Sequence, residues 1–231
     1  MLERRRVRYN PVESIDIVDK ALVEGDSELA ESVLLAALKD TYTTNPDMYH
    51  HLALRSAAMP LYDIIESLPT PAEQEKVAQT TYSWLVSFIE SELSSPDYYS
   101  PIQNVRERRA GRLSEDVVFS FLLRKFLKTG EEVPFPATHF EDRVHKIDLL
   151  TVPLASPDQP GKNIQVKTRS PRHVVNGVFY VSMDQLDPDF KGHNHEDSLT
   201  RSIVREAAGI AEPCEIEKLQ EAEKNLDQIF A

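Results

Sequence analysis

Three polar side chains on two predicted strands are of types that could hold a divalent cation and a phosphodiester. The runs His145–Val152 and Lys162–Arg169 are β-branched and apolar, and the loop between them is rich in Pro, which predicts two short strands. Because side chains alternate along a strand, Gln165 and Lys167 share one face. Asp148 can reach that face if the strands are neighbours. A carboxylate, an amide oxygen and an ammonium would then meet at one edge of a sheet.

The first part of the chain has a helical pattern that Pro residues punctuate. Apolar residues recur at helical spacing, and good capping residues precede the runs. The pattern predicts helices over Val12–Glu24, Ser27–Tyr42, Pro46–Leu68 (with a break or kink at Pro60) and from Pro71 to about Ser95, with Thr70 as the N-cap of the last one. Short connections between them predict an antiparallel α-helical bundle.

The second part of the chain mixes helices with strands. A helix is predicted over Leu113–Lys128, with Ser114 as its cap and Gly130 at its end. Further strands are predicted over Val133–Phe140 and Val178–Met183, and two final helices over Ser198–Gly209 and Glu215–Phe230. The order predicts an α+β or α/β fold. We therefore expect a helical domain over residues 1–100, with a basic arm at 1–10, and an α/β domain over 101–231.

Charge is unevenly distributed along the 231 residues. The net charge is -12, which argues against a general nucleic-acid binder. The balance is -9 over residues 1–100 and -7 over 174–231, but +4 over 101–173, the segment with the three polar side chains. A local basic surface in an acidic protein can still contact phosphates.

Composition argues against disulfide-bonded, cysteine–zinc and membrane-spanning proteins. The single cysteine, Cys214, excludes an intramolecular disulfide and a cysteine-based zinc cluster. No apolar run approaches the length of a membrane span, and the first residues lack the apolar core of a signal peptide. The expectation is a cytoplasmic protein with no membrane partner.

The order of these elements resembles the PD-(D/E)XK nuclease superfamily, whose members have the restriction-endonuclease-like fold. The similarity covers roughly residues 105–185: a helix, a hairpin with an Asp, and then a strand that carries Gln-x-Lys, as in Mrr-like enzymes. It implies a small central mixed β-sheet flanked by helices. The sequence departs from the family pattern at Ile147, where a Pro usually precedes the Asp, and at Gln165, where a carboxylate is usual.

The resemblance implies a function for each matching residue. Asp148 and Gln165 would supply oxygen ligands to Mg²⁺, for which Mn²⁺ can substitute, and Lys167 would position the attacking water or stabilise the developing charge. Many members add a Glu from the preceding helix. Glu115 matches that position, with Asp116 as the neighbouring candidate. The expected activity is endonucleolytic hydrolysis of DNA.

Arginines near these residues are candidates for contacts with the nucleic-acid backbone. Arg106, Arg108, Arg109 and Arg112 lie at the entry of the predicted helix that carries Glu115, and Arg169 and Arg172 follow the Lys167 strand. A solvated charged surface is the alternative interpretation of both groups.

Two further readings stay open on the sequence alone. The chain could be a non-catalytic interaction protein on a nuclease-like fold, which binds a protein partner through acidic helical surfaces within residues 11–95. It could also be a helical adaptor with an unrelated second half, if the strands within 145–169 do not pair. By analogy, cutting both strands of a duplex usually takes two subunits, so the nuclease reading suggests a homodimer.

Overall fold

The computed structural model describes residues 10–67, 69–95, 102–169, 177–190 and 198–231. Over these ranges the chain is a mostly helical α+β protein, in which helices flank a small four-stranded mixed sheet. The predicted basic arm lies outside the described residues, apart from Asn10. None of the described helices is both long enough and apolar enough to cross a membrane.

Four helices fill the first part of the chain, at nearly the predicted bounds. They are α1 (Pro11–Val23), α2 (Ser27–Thr41), α3 (Pro46–Ser67) and α4 (Pro71–Ser94). Side chains accept hydrogen bonds from first-turn N–H groups of α1, α2 and α3; in α3, Asn45 accepts one from Met48 N at 3.3 Å. Asn10 accepts a hydrogen bond from Val12 N at 3.2 Å, and Asp26 accepts one from Leu29 N at 3.1 Å. Local capping signals therefore fix where these helices begin.

The four helices divide between two hydrophobic cores, so they do not form one closed bundle. The smaller core consists of side chains from α1, α2 and Leu52 of α3. The larger core begins at Leu54 of α3 and includes side chains of α4 and of the second half of the chain. α3 continues through Pro60, where the fully buried Ala58 and Leu61 hold both sides of the helix in this core. The division into two domains at residue 100 stays a prediction, and the larger core extends across it.

The fifth helix, α5 (Gln103–Thr129), begins ten residues earlier than predicted. Ser114 is not its cap, because the Ser114 hydroxyl lies inside the helix and donates to Ala110 O at 2.7 Å. The end is as predicted: Gly130 adopts the left-handed conformation with φ of 64°, which glycine reaches without steric cost.

The sheet contains β1 (Glu132–Pro136), β2 (Leu149–Pro153), β3 (Asn163–Lys167) and β4 (Phe179–Ser182), in that order across the sheet. β1 pairs with β2 and β2 with β3 in antiparallel fashion, while β3 and β4 are parallel. Because Leu149 pairs with Ile164, the two central strands are neighbours. The helical-adaptor hypothesis required these strands not to pair, so it is no longer supported.

All four strands are shorter than predicted: β2 begins at Leu149 and not at His145, and β3 spans only Asn163–Lys167. β1 ends at Pro136, and the chain then forms a π-helical turn over Glu141–His145 before β2 begins at Leu149. β4 ends at Ser182, where the short helix α6 (Met183–Leu186) begins. α7 (Ser198–Ala207) and α8 (Pro213–Phe230) follow close to the predicted bounds and pack on the larger core.

Candidate active site

Asp148 lies at the entrance of β2, where backbone and side chain hold it between β1 and β3. Its N–H donates to Ile164 O at 2.9 Å, and its carbonyl accepts from Ala137 N at 3.0 Å. Its carboxylate Oδ2 accepts a hydrogen bond from Val166 N at 2.7 Å. The half-buried carboxylate is therefore held by an N–H group of β3 rather than free in a turn.

Gln165 and Lys167 lie two residues apart on β3, with Val166 between them, as the period of a strand requires. Gln165 is 7% exposed, and its side chain makes no hydrogen bond to any residue that the structure describes. Lys167 is half-buried, and its charge lowers the pKa of both Asp148 and Glu115. The ammonium therefore acts electrostatically on two carboxyl groups from different elements.

Glu115, and not Asp116, is the acidic residue that α5 directs toward this site. Glu115 is half-buried, whereas Asp116 is fully buried, because adjacent helical residues point about 100° apart. Asp116 Oδ1 lies 3.8 Å from Nε2 of the buried His50, and neither carboxylate oxygen of Asp116 has a hydrogen-bond partner within the described ranges. Burial raises the pKa of Asp116 well above its ordinary value, which favours the neutral acid.

Burial and like charge raise the pKa values of both candidate metal ligands. The pKa of Glu115 is raised to about 7, mainly by burial, with a further contribution from the charge of Asp142. The pKa of Asp148 is also raised to about 7, by burial and then by the charge of Glu115. Lys167 opposes both shifts. Two carboxyl groups that repel each other in a partly dry site form a place where a cation would be stabilised.

Two residues that sequence reasoning did not select also belong to this cluster. Asp142, in the π-helical turn, raises the pKa of both Glu115 and Asp148 through its charge. His51 of α3 is half-buried; burial lowers its pKa, while the neighbouring Glu115 carboxylate raises it. No sequence pattern marks either residue as part of the site, because only tertiary packing brings them there. The N-terminal helical part of the chain thus contributes a side chain to the site.

The candidate phosphate-binding arginines differ in their availability. Arg109 is 2% exposed, and its Nε lies 3.4 Å from Glu92, so it has almost no surface for a phosphate. Arg112 forms an ion pair with Asp47 and has 18% of its side chain exposed, and Arg106 is half-buried.

Two of the remaining arginines are open to solvent. Arg108 is exposed despite a 3.5 Å contact with Asp47, and Arg169 is exposed two residues beyond Lys167. Arg172 lies outside the described residues. Arg108 and Arg169 are therefore the candidates with most surface for a ligand.

The donor set suits a hard cation better than a soft one. Glu115, Asp148 and Gln165 offer carboxylate and amide oxygens, which Mg²⁺ and Mn²⁺ prefer. Among the described residues, no group of three or more His, Cys, Asp or Glu side chains has a metal-binding arrangement. Two carboxylates and an amide nevertheless suffice for Mg²⁺, which retains water and takes further oxygens from a phosphate.

Comparisons with family models, curated proteins and solved structures found no match to this chain.

Proposed function

We propose that this protein is a metal-dependent endonuclease that hydrolyses phosphodiester bonds of DNA, as in the PD-(D/E)XK superfamily that its sequence resembles. The observation that carries the proposal is electrostatic coupling between three elements: beyond the effect of burial, the charge of Glu115 from α5 raises the pKa of Asp148 beside β2, and the charge of Lys167 from β3 lowers the pKa of both carboxyl groups. On the exposed face of an ordinary strand, we would not expect an acidic side chain from a separate helix next to the strand's own polar residues.

Each side chain has a distinct task in the proposed reaction. Glu115 and Asp148, with the Gln165 amide oxygen, would hold Mg²⁺, which supplies Lewis-acid polarisation of the scissile phosphate when bound. Water attacks phosphorus in line with the leaving 3′-oxygen, and the bond between phosphorus and that oxygen breaks. The Lys167 ammonium stabilises the negative charge that develops on the phosphoryl oxygens. The proton of the attacking water passes to solvent, and a solvent water protonates the leaving 3′-oxygen.

The distribution of exposed cations supports a nucleic acid as the substrate. Arg169 follows Lys167 on the chain and is exposed, and Arg108 is exposed at the start of α5. Residues 101–173, which include both, are the segment with the net charge of +4. Phosphate contacts by such residues position a backbone without reading its sequence. A second copy of the chain would be required to cut both strands of a duplex at once.

A cleavage assay with matched variants tests the proposal. Purified protein is incubated with supercoiled plasmid, and with labelled single-stranded DNA and RNA, in Mg²⁺, Mn²⁺ or EDTA. We expect metal-dependent cutting of DNA that Lys167→Ala reduces by about 10²–10³. Lys128→Ala, which changes an exposed lysine of α5 away from the site, should cut like the wild type.

The result also decides between the two readings of the site. Cutting that Lys167→Ala and Lys128→Ala leave equally unchanged would show that Lys167 takes no part in the reaction and would contradict the proposed site. The absence of cutting of any substrate by folded protein, in either metal, would favour the non-catalytic interaction protein.

A further inference from the structure

A groove in the N-terminal helical region is lined by residues that have no part in the proposed nuclease site. It has a volume of about 460 Å³ and lies between α2, the end of α1 and the middle of α3. Leu34, Leu35, Met59 and Tyr62 provide its apolar surface. Leu35 is 62% exposed although it is a large aliphatic side chain, so this surface is open to a ligand.

The rim of this groove is acidic. Glu28 and Glu31 line it from α2, and Asp63 and Glu66 line it from α3. All four are exposed, and none forms an ion pair or a side-chain hydrogen bond within the described ranges. No Lys, Arg or His is among the described residues that line the groove. By contrast, Glu206 of α7 and Glu223 of α8 both form ion pairs with Arg124.

The backbone of α3 adds another acceptor to the groove. Pro60 has no N–H, so it cannot donate to the carbonyl of Ser56 four residues earlier, and both residues line the groove. The Tyr62 ring is held by Phe135 at 4.5 Å between ring centroids, and its half-buried hydroxyl has no hydrogen-bond partner in the described part of the chain. The groove therefore combines an apolar floor with many hydrogen-bond acceptors.

We propose that this groove binds a basic, amphipathic peptide segment of a partner protein. Lysines or arginines of the segment would pair with Glu28, Glu31, Asp63 and Glu66, and an apolar side chain would cover Leu35 and Met59. Such a peptide supplies the donors and positive charge that the groove lacks. The inference does not depend on nuclease activity.

Charge disfavours the main competing occupants. A nucleic acid or an anionic membrane surface would be repelled by four unpaired carboxylates. A second copy of this chain, with its net charge of -12, would bring a surface that is acidic on average outside its basic arm over residues 1–10 and the segment 101–173. A small polyamine would satisfy the carboxylates, but it would leave the apolar floor uncovered.

Fluorescence anisotropy with a synthetic probe tests the proposal. The probe is a labelled peptide of about 18 leucines and lysines, with leucines at helical spacing, and a glutamate version serves as the negative control. Asp63→Lys with Glu66→Lys reverses two rim charges. Glu13→Lys with Glu75→Lys makes the same change in net charge at exposed carboxylates outside the groove. Leu35→Ser alters the floor, and Val23→Ser is its matched control at an exposed site.

The proposal predicts a specific pattern of binding. The lysine peptide binds the wild type, the groove double variant weakens binding about tenfold or more, and Leu35→Ser also weakens it, while both control variants bind like the wild type. Equal weakening by the two double variants would mean non-specific attraction and would overturn the proposal. So would the absence of binding, or full displacement by spermidine with no effect of Leu35→Ser. Circular dichroism of each variant confirms that it is folded.

Discussion

The carboxylate of Asp148 takes the place of a backbone acceptor between two strands: its Oδ2 accepts a 2.7 Å hydrogen bond from Val166 N. The side chain thereby joins the residue before β2 to β3, beside the backbone hydrogen bond from Asp148 N to Ile164 O. The same carboxylate is the proposed metal ligand. Substitutions of Asp148 can separate the structural effect of its hydrogen bond to Val166 N from its proposed effect on catalysis.

Asp148→Asn and Asp148→Ala should differ in stability but not in activity. Asn retains an oxygen that can accept from Val166 N, whereas Ala leaves this N–H unpaired, at a cost of about 1–3 kcal/mol. Both remove the negative charge, so both should lose DNA cleavage by about 10²–10³. Urea unfolding and the plasmid assay measure the two effects. Asp158→Ala, at an exposed position of the loop between β2 and β3, should change neither. Full activity of Asp148→Asn would remove Asp148 from the site.

Glu115 should destabilise the folded protein as pH rises. Its pKa in the folded state is about 7, above its ordinary value near 4.5, mainly because of burial. The folded state therefore binds the proton more tightly than the unfolded state, and the free energy of unfolding falls between about pH 4.5 and 7. Glu115→Gln removes this dependence. As pH rises through that range, we expect the free energy of unfolding of the variant to increase by on the order of 1–3 kcal/mol relative to that of the wild type.

Thermal unfolding in EDTA at several pH values measures the difference between the wild type and Glu115→Gln. A shift of roughly 2–4 °C per kcal/mol is expected for a chain of this size. Glu107→Gln, in an exposed position on the same helix, serves as the control. A difference that stays constant from pH 5 to pH 8 would contradict the raised pKa.

Arg55 connects the helical part of the chain with the segment that leads to Asp148. It forms an ion pair with Asp19 of α1, and its Nη2 donates to Ala137 O at 2.8 Å. Arg55 is 3% exposed, so Arg55→Met leaves Asp19 without its buried counter-charge and should cost about 3–5 kcal/mol. Arg108→Met, at an exposed ion pair, should cost less than about 1 kcal/mol. Denaturant unfolding measures both. Equal costs would show that the buried link does not contribute.

Gly161 permits a close approach of two backbone segments in the loop before β3. A Cβ atom at this position would lie 1.9 Å from Thr151 O, a contact that requires the backbone to move. Gly161→Ala should therefore lower thermal stability sharply and weaken the pairing of β2 with β3. Gly111→Ala is the matched control, because a Cβ there meets nothing within 4 Å. In the interior of α5 it should stabilise by about 0.5–1 kcal/mol. The reverse order of the two melting temperatures would contradict this account.

Local signals in the sequence predicted the elements that depend on local physics. The bounds of α1 to α4 follow from caps and Pro residues, and the existence of the two strands beside Asp148 and at Lys167 follows from their composition and the loop between them, whereas the sequence alone leaves their pairing, which the structure shows, as a condition. Gly130 follows the last residue of α5, as predicted from the ease with which glycine adopts the left-handed conformation. These features require only neighbours along the chain.

Features that depend on tertiary packing were not predictable in the same way. The first turns of α5 are rich in arginine and have no apolar residues at helical spacing, so the sequence predicts that the helix begins at Leu113. In the structure the helix includes these turns, and Arg109 is buried next to Glu92. The segment after Pro136 has strand-like residues but forms the π-helical turn that carries Asp142. His51 reaches the site because α3 packs near α5, and no spacing in the sequence records that contact.

Direct measurement of divalent-cation binding tests the central claim that Glu115 and Asp148 form a metal site. Calorimetric titration of Mn²⁺ is carried out at pH 7 and pH 9 in buffers with different ionisation enthalpies. With pKa values of about 7, both carboxyl groups are partly protonated at pH 7. We expect Mn²⁺ to release about one proton at pH 7 and almost none at pH 9, and Asp148→Asn to abolish binding. Equal binding by wild type and Asp148→Asn, or no proton release at pH 7, would contradict the claim.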